Sequence, residues 1–179
     1  MSRVRITGGQ WRSRLLPVPA LRGLRPTPDR VRETLFNWLG QDLDGTRCLD
    51  LFAGTGILGF EAASRGAATV TLVEQSSRAV AALRAAAAAL DAQQVETVRC
   101  NALEFVLGAR QPYDLVFLDP PYHQGLLERI EPVLGRLLAP GAWLYVESEH
   151  PLKQFSTLTT VRSGTAGQVH FHLMRGHDA

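Results

Sequence analysis

Apolar and polar positions change period along this chain, and the changes mark out its elements. Val31, Leu35, Trp38 and Leu39 stand at i, i+4, i+7 and i+8, which is one stripe of an α-helix. Thr27 before Pro28 offers a cap followed by proline at the first helical position, and Gly40 and Gly45 close the segment. Ahead of it, residues 3–7 and 13–18 flank Gly8-Gly9-Gln10-Trp11 as a short hairpin. Residues 17–26 carry Pro17, Pro19, Gly23 and Pro26 and read as a loop. From residue 46 short apolar runs alternate with helical stretches. Strands are predicted at 47–51, 69–73, 95–99, 113–118 and 142–146, and helices at 57–65, 76–90, 102–109 and 124–138. The tail differs: 155–162 and 168–174 read as an antiparallel hairpin joined by Gly164-Thr165-Ala166-Gly167. Alternating strands and helices predict an α/β fold, a mostly parallel sheet with helices on both faces. Residues 1–45 then form an appendage packed on a core of 46–179, one structural domain in all.

Composition narrows the class. With 45% hydrophobic residues and a net charge of +2, the chain of 179 residues is neither disordered nor highly charged. Its two cysteines, Cys48 and Cys100, lie far apart in or beside apolar stretches. They read as reduced thiols of a cytoplasmic protein, not as a bridge or a metal site. His170 and His172 share a face of the tail strand but lack a third ligand, so no metal is expected. No apolar run reaches the ~18 residues that span a bilayer, and no apolar signal core follows the basic Met1 to Arg5.

Charge is unevenly spread. Residues 1–32 hold eight arginines, Arg3, Arg5, Arg12, Arg14, Arg22, Arg25, Arg30 and Arg32, against Asp29, a local charge of +7. The rest of the chain carries −5. Of the 19 basic residues only Lys153 is a lysine, and guanidinium groups suit phosphates and base faces. A solvated face is the bland account; a polyanion-binding arm is the stronger one.

The candidate chemistry lies at strand ends, where open parallel sheets bind ligands. Asp50-Leu51-Phe52-Ala53-Gly54-Thr55-Gly56 joins a strand to a helix through glycines that let a ligand approach backbone. Glu74, with Gln75 beyond it, ends the next strand where an acid would hold ribose hydroxyls. This pattern is shared by nicotinamide and S-adenosylmethionine enzymes. Asp50 favours the second, because a carboxylate repels a pyrophosphate and attracts a sulfonium or ammonium group. Asn101-Ala102 ends the third strand, and Asn101 could meet an adenine edge or simply cap the next helix. The fourth strand runs into Asp119-Pro120-Pro121-Tyr122. Two prolines stiffen this turn and donate nothing, so it offers the Asp119 carboxylate and the Pro120 carbonyl as acceptors to an exocyclic amine. Two such bonds favour a pyramidal nitrogen with a free lone pair, and Tyr122 supplies a flat face for an extruded base. Trp11, His123, Glu147 and Glu149 receive no assigned role.

These residues resemble a class I S-adenosylmethionine-dependent amino-methyltransferase. The resemblance narrows further through Arg5-Ile6-Thr7-Gly8-Gly9-Gln10-Trp11-Arg12, Leu24-Arg25-Pro26-Thr27, Asp29-Arg30-Val31-Arg32-Glu33, Tyr145-Val146-Glu147-Ser148-Glu149 and Gly167-Gln168-Val169, which are similar to the bacterial RsmD family over about residues 3–175. The resemblance implies a Rossmann-like, seven-stranded sheet in the order 3-2-1-4-5-7-6 with the tail hairpin at one edge. It implies methylation of the N2 amine of a guanine in 16S rRNA, within the assembled small ribosomal subunit; the protein itself is expected to be a cytoplasmic monomer. The cofactor-binding set would be Asp50, Phe52, Ala53, Gly54, Thr55, Gly56, Glu74, Gln75, Asn101 and Ala102. The catalytic set would be Asp119, Pro120, Pro121 and Tyr122, and Arg3, Arg5, Arg12, Arg14, Arg22, Arg25 and Arg30 would contact RNA. Asn101 departs from the aspartate of many class members. Adenine N6 or cytosine N4 of DNA, and another rRNA nucleotide, remain open as substrates, since each offers an exocyclic amine.

Overall fold

The structure is a computed structural model that describes residues 2–176. Met1 and the last three positions of the expected core, 177–179, lie outside the described residues. An N-terminal hairpin, β1 (Arg3–Arg5) and β2 (Leu15–Pro17), leads through a loop to α1 (Asp29–Leu39). The core follows as β3 (Arg47–Asp50), α2 (Ile57–Ser64), β4 (Thr69–Glu74), α3 (Ser77–Ala89), β5 (Val95–Arg99), α4 (Ala102–Gly108), β6 (Tyr113–Leu118), α5 (Leu126–Ile130), a 3-10 helix (Glu131–Arg136) and β7 (Leu138–Ser148). The tail adds β8 (Gln154–Phe155), β9 (Leu158–Ala166) and β10 (Val169–Gly176).

Eight strands form one sheet in the order β5-β4-β3-β6-β7-β10-β9-β8. The first five are parallel neighbours, and the last three continue antiparallel. Seven of them follow the order that the resemblance implied; the two-residue β8 is an eighth, added at the edge. Side chains alternate across the sheet. Cys48, Val70, Leu72, Phe117 and Tyr145 face one core with α1, α2, α3 and the N-terminal hairpin. Leu49, Leu51, Val73, Val116, Leu118, Leu144 and Val146 face the other with α4 and α5. The fold is an α/β Rossmann-like sheet with helices on both faces. Among the described residues no helix is long and apolar enough to cross a membrane. Cys48 and Cys100 are both free, and burial pushes the Cys48 thiol up to about 12.

Several expected boundaries moved. The helix expected over 124–138 begins only at Leu126, because Gly125 sits at φ +63, and its second half tightens to 3-10 geometry where Pro132 lacks an N–H. The fifth core strand, expected over 142–146, extends to Leu138–Ser148, and its register against β6 jumps between Tyr113 and Leu115. The tail turn is Gly167-Gln168 alone, since Ala166 pairs with Val169. Gly164 belongs to β9, where a Cβ would come within 2.5 Å of the Phe171 ring; it makes room for an aromatic side chain and does not turn the chain.

The N-terminal segment is built into the molecule. Val4, Ile6, Trp11, Leu16 and Val18 are buried in the first core, each side chain contributing about 1.5–3 kcal/mol. Trp11 is therefore packed on its own domain. The backbone of Gln10 and Trp11 donates to the carbonyl and hydroxyl of Ser64 at the end of α2. Arg32, one of the eight arginines of the basic N-terminal arm, is fully buried. It donates to the carbonyls of Thr27 (2.9 Å) and Arg5 (2.6 Å), pairs with Asp29, and faces Glu61 at 3.7 Å. Buried Glu61 also accepts from the Thr7 backbone and hydroxyl and faces Arg65 at 3.4 Å. An uncompensated carboxylate would otherwise sit inside α2, so the guanidinium is held where the charge is. On α1, Phe36 joins Val31 and Leu35 inside, while Trp38 is half-buried and stacks on Phe171 with centroids 5.5 Å apart.

Candidate active site

The parallel strands end on one edge, and each of four neighbours delivers an acid there. Glu74 ends β4, Asp50 ends β3, Asp119 follows β6 and Glu147 lies near the end of β7. Period-two alternation puts all four on the face of the first core, continuing Leu72, Cys48, Phe117 and Tyr145. Register makes them neighbours: Asp50 pairs with Leu72 and Phe117, and Leu118 pairs with Val146, so Asp119 stands beside Glu147. Adjacent strands are about 4.8 Å apart.

The loop after β3 is held in place by its neighbours. Ala53 N donates to Val73 O (2.9 Å), Gly56 N to Ala53 O (2.7 Å), and Gly54 N to Glu74 Oε2 (2.9 Å). The other Glu74 oxygen accepts from Ser76 N at 3.0 Å. Gly56 has φ +78, and a Cβ there would meet Leu83 at 2.5 Å and Phe60 at 2.8 Å, so both conformation and space require glycine. Ala53 and Thr55 are buried, Phe52 and Gly54 half-buried, and Gln75 exposed. Asn101 caps α4, its Oδ1 accepting from Leu103 N (2.9 Å) and Glu104 N (3.4 Å). The side-chain NH2 is the group left to face a ligand, and Ala102 behind it packs on the second core.

At the Asp119 turn, Pro120 is buried, Pro121 and Tyr122 are exposed and Asp119 is half-buried. His123 takes φ +63 and does not start a helix; its Nδ1 lies 3.2 Å from Glu149 Oε1, tying the turn to the end of β7. Glu147 is buried and accepts from the Tyr145 hydroxyl (2.7 Å) and the Thr27 hydroxyl (3.4 Å), both on Oε1. Thr27 is thus not the cap of α1. Pro28 holds that position without a side-chain bond, and the threonine hydroxyl serves the buried carboxylate. Leu24, in the same loop, lies against Gly54, 2.9 Å from where a Cβ would stand. The N-terminal loop therefore touches both the glycine loop and the acid of β7.

So many carboxyls in one buried edge disfavour their own ionisation. Burial, then the charges of Glu74 and Glu147, push Asp50 up to about 7. Burial, then Glu147 and Asp50, push Asp119 well above the usual carboxylate range. The phenols of Tyr122 and Tyr145 are raised by burial and the same carboxylates. Asp50 Oδ1 is buried and has no hydrogen-bond partner among the described residues. An orphan acid oxygen beside a glycine cradle and three further acids fits a positively charged ligand group. The sign for stability follows from linkage. An unfolded Asp50 loses its proton near 3.8 and the folded one near 7, so the free protein loses stability as pH rises from about 4 to about 7. Asp50→Asn should flatten that fall and raise resistance to urea at pH 8 but not at pH 4. Parallel pH profiles for the two proteins would refute it.

Of the residues singled out from sequence, Asp50, Gly54, Glu74 and Asp119 converge on this edge. Arg3, Arg5, Arg12, Arg14, Arg22, Arg25 and Arg30 are all exposed, and Arg14 also donates to Ala89 O at 3.2 Å. Sequence reading missed Glu147, Tyr145, Thr27 and Leu24. For Glu147 a signal existed: it lies two residues after Tyr145 on a strand whose neighbour carries Asp119. His172 serves structure, its Nε2 accepting from Leu152 N at 2.9 Å and its Nδ1 facing Val146 O. A surface hollow of about 510 Å³ lined by Gln41, Asp44, Arg65 and Gly66 lies at the other end of the strands and gathers none of the four acids.

Residues 4–175 match the family model described as Conserved hypothetical protein 95. Ribosomal RNA small subunit methyltransferase D of Escherichia coli (strain K12) is 46% identical over 95% of this chain and 88% of that protein. Its namesake in Haemophilus influenzae is 43% identical over 95% of this chain and 92% of its own length. The solved structure of the putative methyltransferase yhhF from Escherichia coli superposes with a TM-score of 0.89 at 44% identity, covering 99% of this chain and 100% of that one.

Proposed function

This chain belongs to the Conserved hypothetical protein 95 family, the RsmD family, and from that membership and the acid-lined strand edge we propose that it is an S-adenosylmethionine-dependent rRNA methyltransferase acting on the N2 amine of a guanine in 16S rRNA. The observation that carries the reading is the adjacency of Asp50 and Asp119 on neighbouring strands. One site wants a cation and the other an amine, one strand over and two residues farther along, since Asp50 pairs with Phe117.

S-adenosylmethionine supplies an electrophilic methyl group on a cationic sulfur. Asp50 and the Gly54–Gly56 loop hold its charged end, with Phe52, Ala53 and Thr55 forming the wall. Glu74 accepts from ribose hydroxyls; each of its oxygens already takes one backbone N–H and has room for a second bond. Asn101 offers its NH2 to an acceptor on the adenine edge, with Gln75 and Ala102 beside it. On the substrate side, Asp119 and the Pro120 carbonyl take the two amine hydrogens and aim the nitrogen lone pair, while Pro121 fixes the turn. Tyr122 stacks on the flipped base. Rate comes from holding donor and acceptor in line and from excluding water. Asp119 orients the amine; no deprotonated amine is needed before attack.

The seven exposed arginines grip phosphates of the small subunit, the protein acting as a monomer. Since the hairpin is part of the core, point charge changes test this better than truncation. Arg22→Glu with Arg25→Glu should weaken subunit binding about tenfold or more and lessen its salt dependence, with S-adenosylhomocysteine affinity unchanged. Equal loss of both affinities would make these arginines structural. The function itself is tested by labelled methyl transfer to small subunits, free 16S rRNA and duplex DNA, with mass spectrometry of the product nucleoside. N2-methylguanosine from the subunit is expected. Methylated adenine or cytosine from DNA would overturn the reading.

A further inference from the structure

Transfer to an amine leaves a proton to dispose of, and the turn carrying Asp119 does not face solvent alone. Asp119 and Glu147 are neighbours in register across β6 and β7, on the same face of the sheet, close enough that, after burial, the Glu147 charge pushes the Asp119 carboxyl up. Both hydroxyl donors to Glu147, Tyr145 and Thr27, converge on its Oε1. They leave Oε2 of Glu147 for Asp119. We propose that Glu147 is a positioning residue that shares one proton with Asp119 and draws that proton off when the substrate amine is methylated. The proposal rests on the methyl-transfer reading above and adds a residue to it.

In the resting pair the shared proton lies on the Asp119 oxygen that faces Glu147. The second Asp119 oxygen stays open to accept an amine N–H. The amine nitrogen then forms the new N–C bond as the donor's C–S bond breaks, its electron pair staying on sulfur. The nitrogen, now positive, gives a proton to the open oxygen of Asp119, and Asp119 passes the shared proton to Glu147. The pair gains one proton and loses its single negative charge, and it returns that proton to water after product leaves. The other groups facing the pair are Asp50 from β3, with Glu74 behind it, Tyr145 from β7, Tyr122 from the turn, and Glu149 with His123 farther out. Beyond burial, the charged groups that push Asp119 up are the acids Glu147 and Asp50.

The sign of a pH shift distinguishes this role from others. The parent is active with one proton on the pair, so its acid limb reports uptake of a second. Glu147→Gln keeps acceptor Oε1 but cannot take a proton, so only fully ionised Asp119 can serve, and burial still holds its pKa up. Single-turnover methyl transfer by E147Q should therefore fall about tenfold or more on the acid limb and recover to within about threefold of the parent at alkaline pH, its acid limb raised by about one pH unit or more. If Glu147 merely added negative charge beside Asp119, the limb would move down; if it were only structural, the limb would stay. Either result overturns the proposal. A measurement without substrate or variant stands beside it: carbon NMR of the Asp119 and Glu147 carboxyls in the free parent should show them titrating together in two steps. Two independent single titrations would also overturn it. A parent that methylates no rRNA would sink the functional reading, whereas an active parent with an unmoved limb in E147Q would remove only the relay.

Discussion

Asp119→Ala should lower methyl transfer to small subunits by about 10³-fold while S-adenosylhomocysteine affinity stays within a fewfold of the parent. Removing one preorganised hydrogen-bonding group costs roughly 10²–10³ in rate, and in the proposed role the same group also sets the direction of the attacking lone pair. The contacts that form the glycine loop run to Val73, Glu74 and Ala53, none of them through Asp119. Loss of folding is not the expected cause, because the change removes one acid whose ionisation its surroundings disfavour. The thermal midpoint of the free variant should hold or rise. Turnover near that of the parent would end the role given to this turn.

Arg32→Met is the change expected to harm stability most. Arg32 has no exposed side-chain surface and bonds two carbonyls of the N-terminal segment while facing Asp29 and Glu61. Breaking a buried ion pair from one side costs about 3–5 kcal/mol, mostly for the charge left behind. In a chain of this size that corresponds to a fall of about 10 °C in the thermal midpoint. Arg65 still faces Glu61 at 3.4 Å and sets a limit on the loss. Adding Glu61→Gln to Arg32→Met should recover part of it, which a double-mutant cycle in urea would measure. A single variant within 1 kcal/mol of the parent would show that Arg65 alone suffices. Because Arg32 bonds Thr27 O, the same variant should loosen the Thr27 contact with Glu147.

Local sequence carried the alternation of elements well, since Tyr113 to Leu118 or the helix starting at Ile57 reads from its own residues. It carried the turn Asp119 to Tyr122 because the chemistry there is contiguous. What it missed depends on partners distant in the chain. Arg32 looked like one more cation of a basic arm, and only the burial of Glu61 in α2 explains why it points inward. Thr27 satisfied every local rule for a helix cap, yet a buried carboxylate 120 residues away took its hydroxyl. Glu147 needed strand adjacency: the strand order implied by the resemblance put β7 beside β6, but only the register shows that Glu147 stands beside Asp119. Gly164 resembled a turn residue until Phe171 was seen to occupy its missing side chain.

Leu24 against Gly54 and Thr27 against Glu147 join one short loop to both sides of the proposed site. Swapping domains between distant relatives would therefore not be modular. A chimera that grafts a foreign first segment onto this core would inherit a mismatched seam at the proposed site.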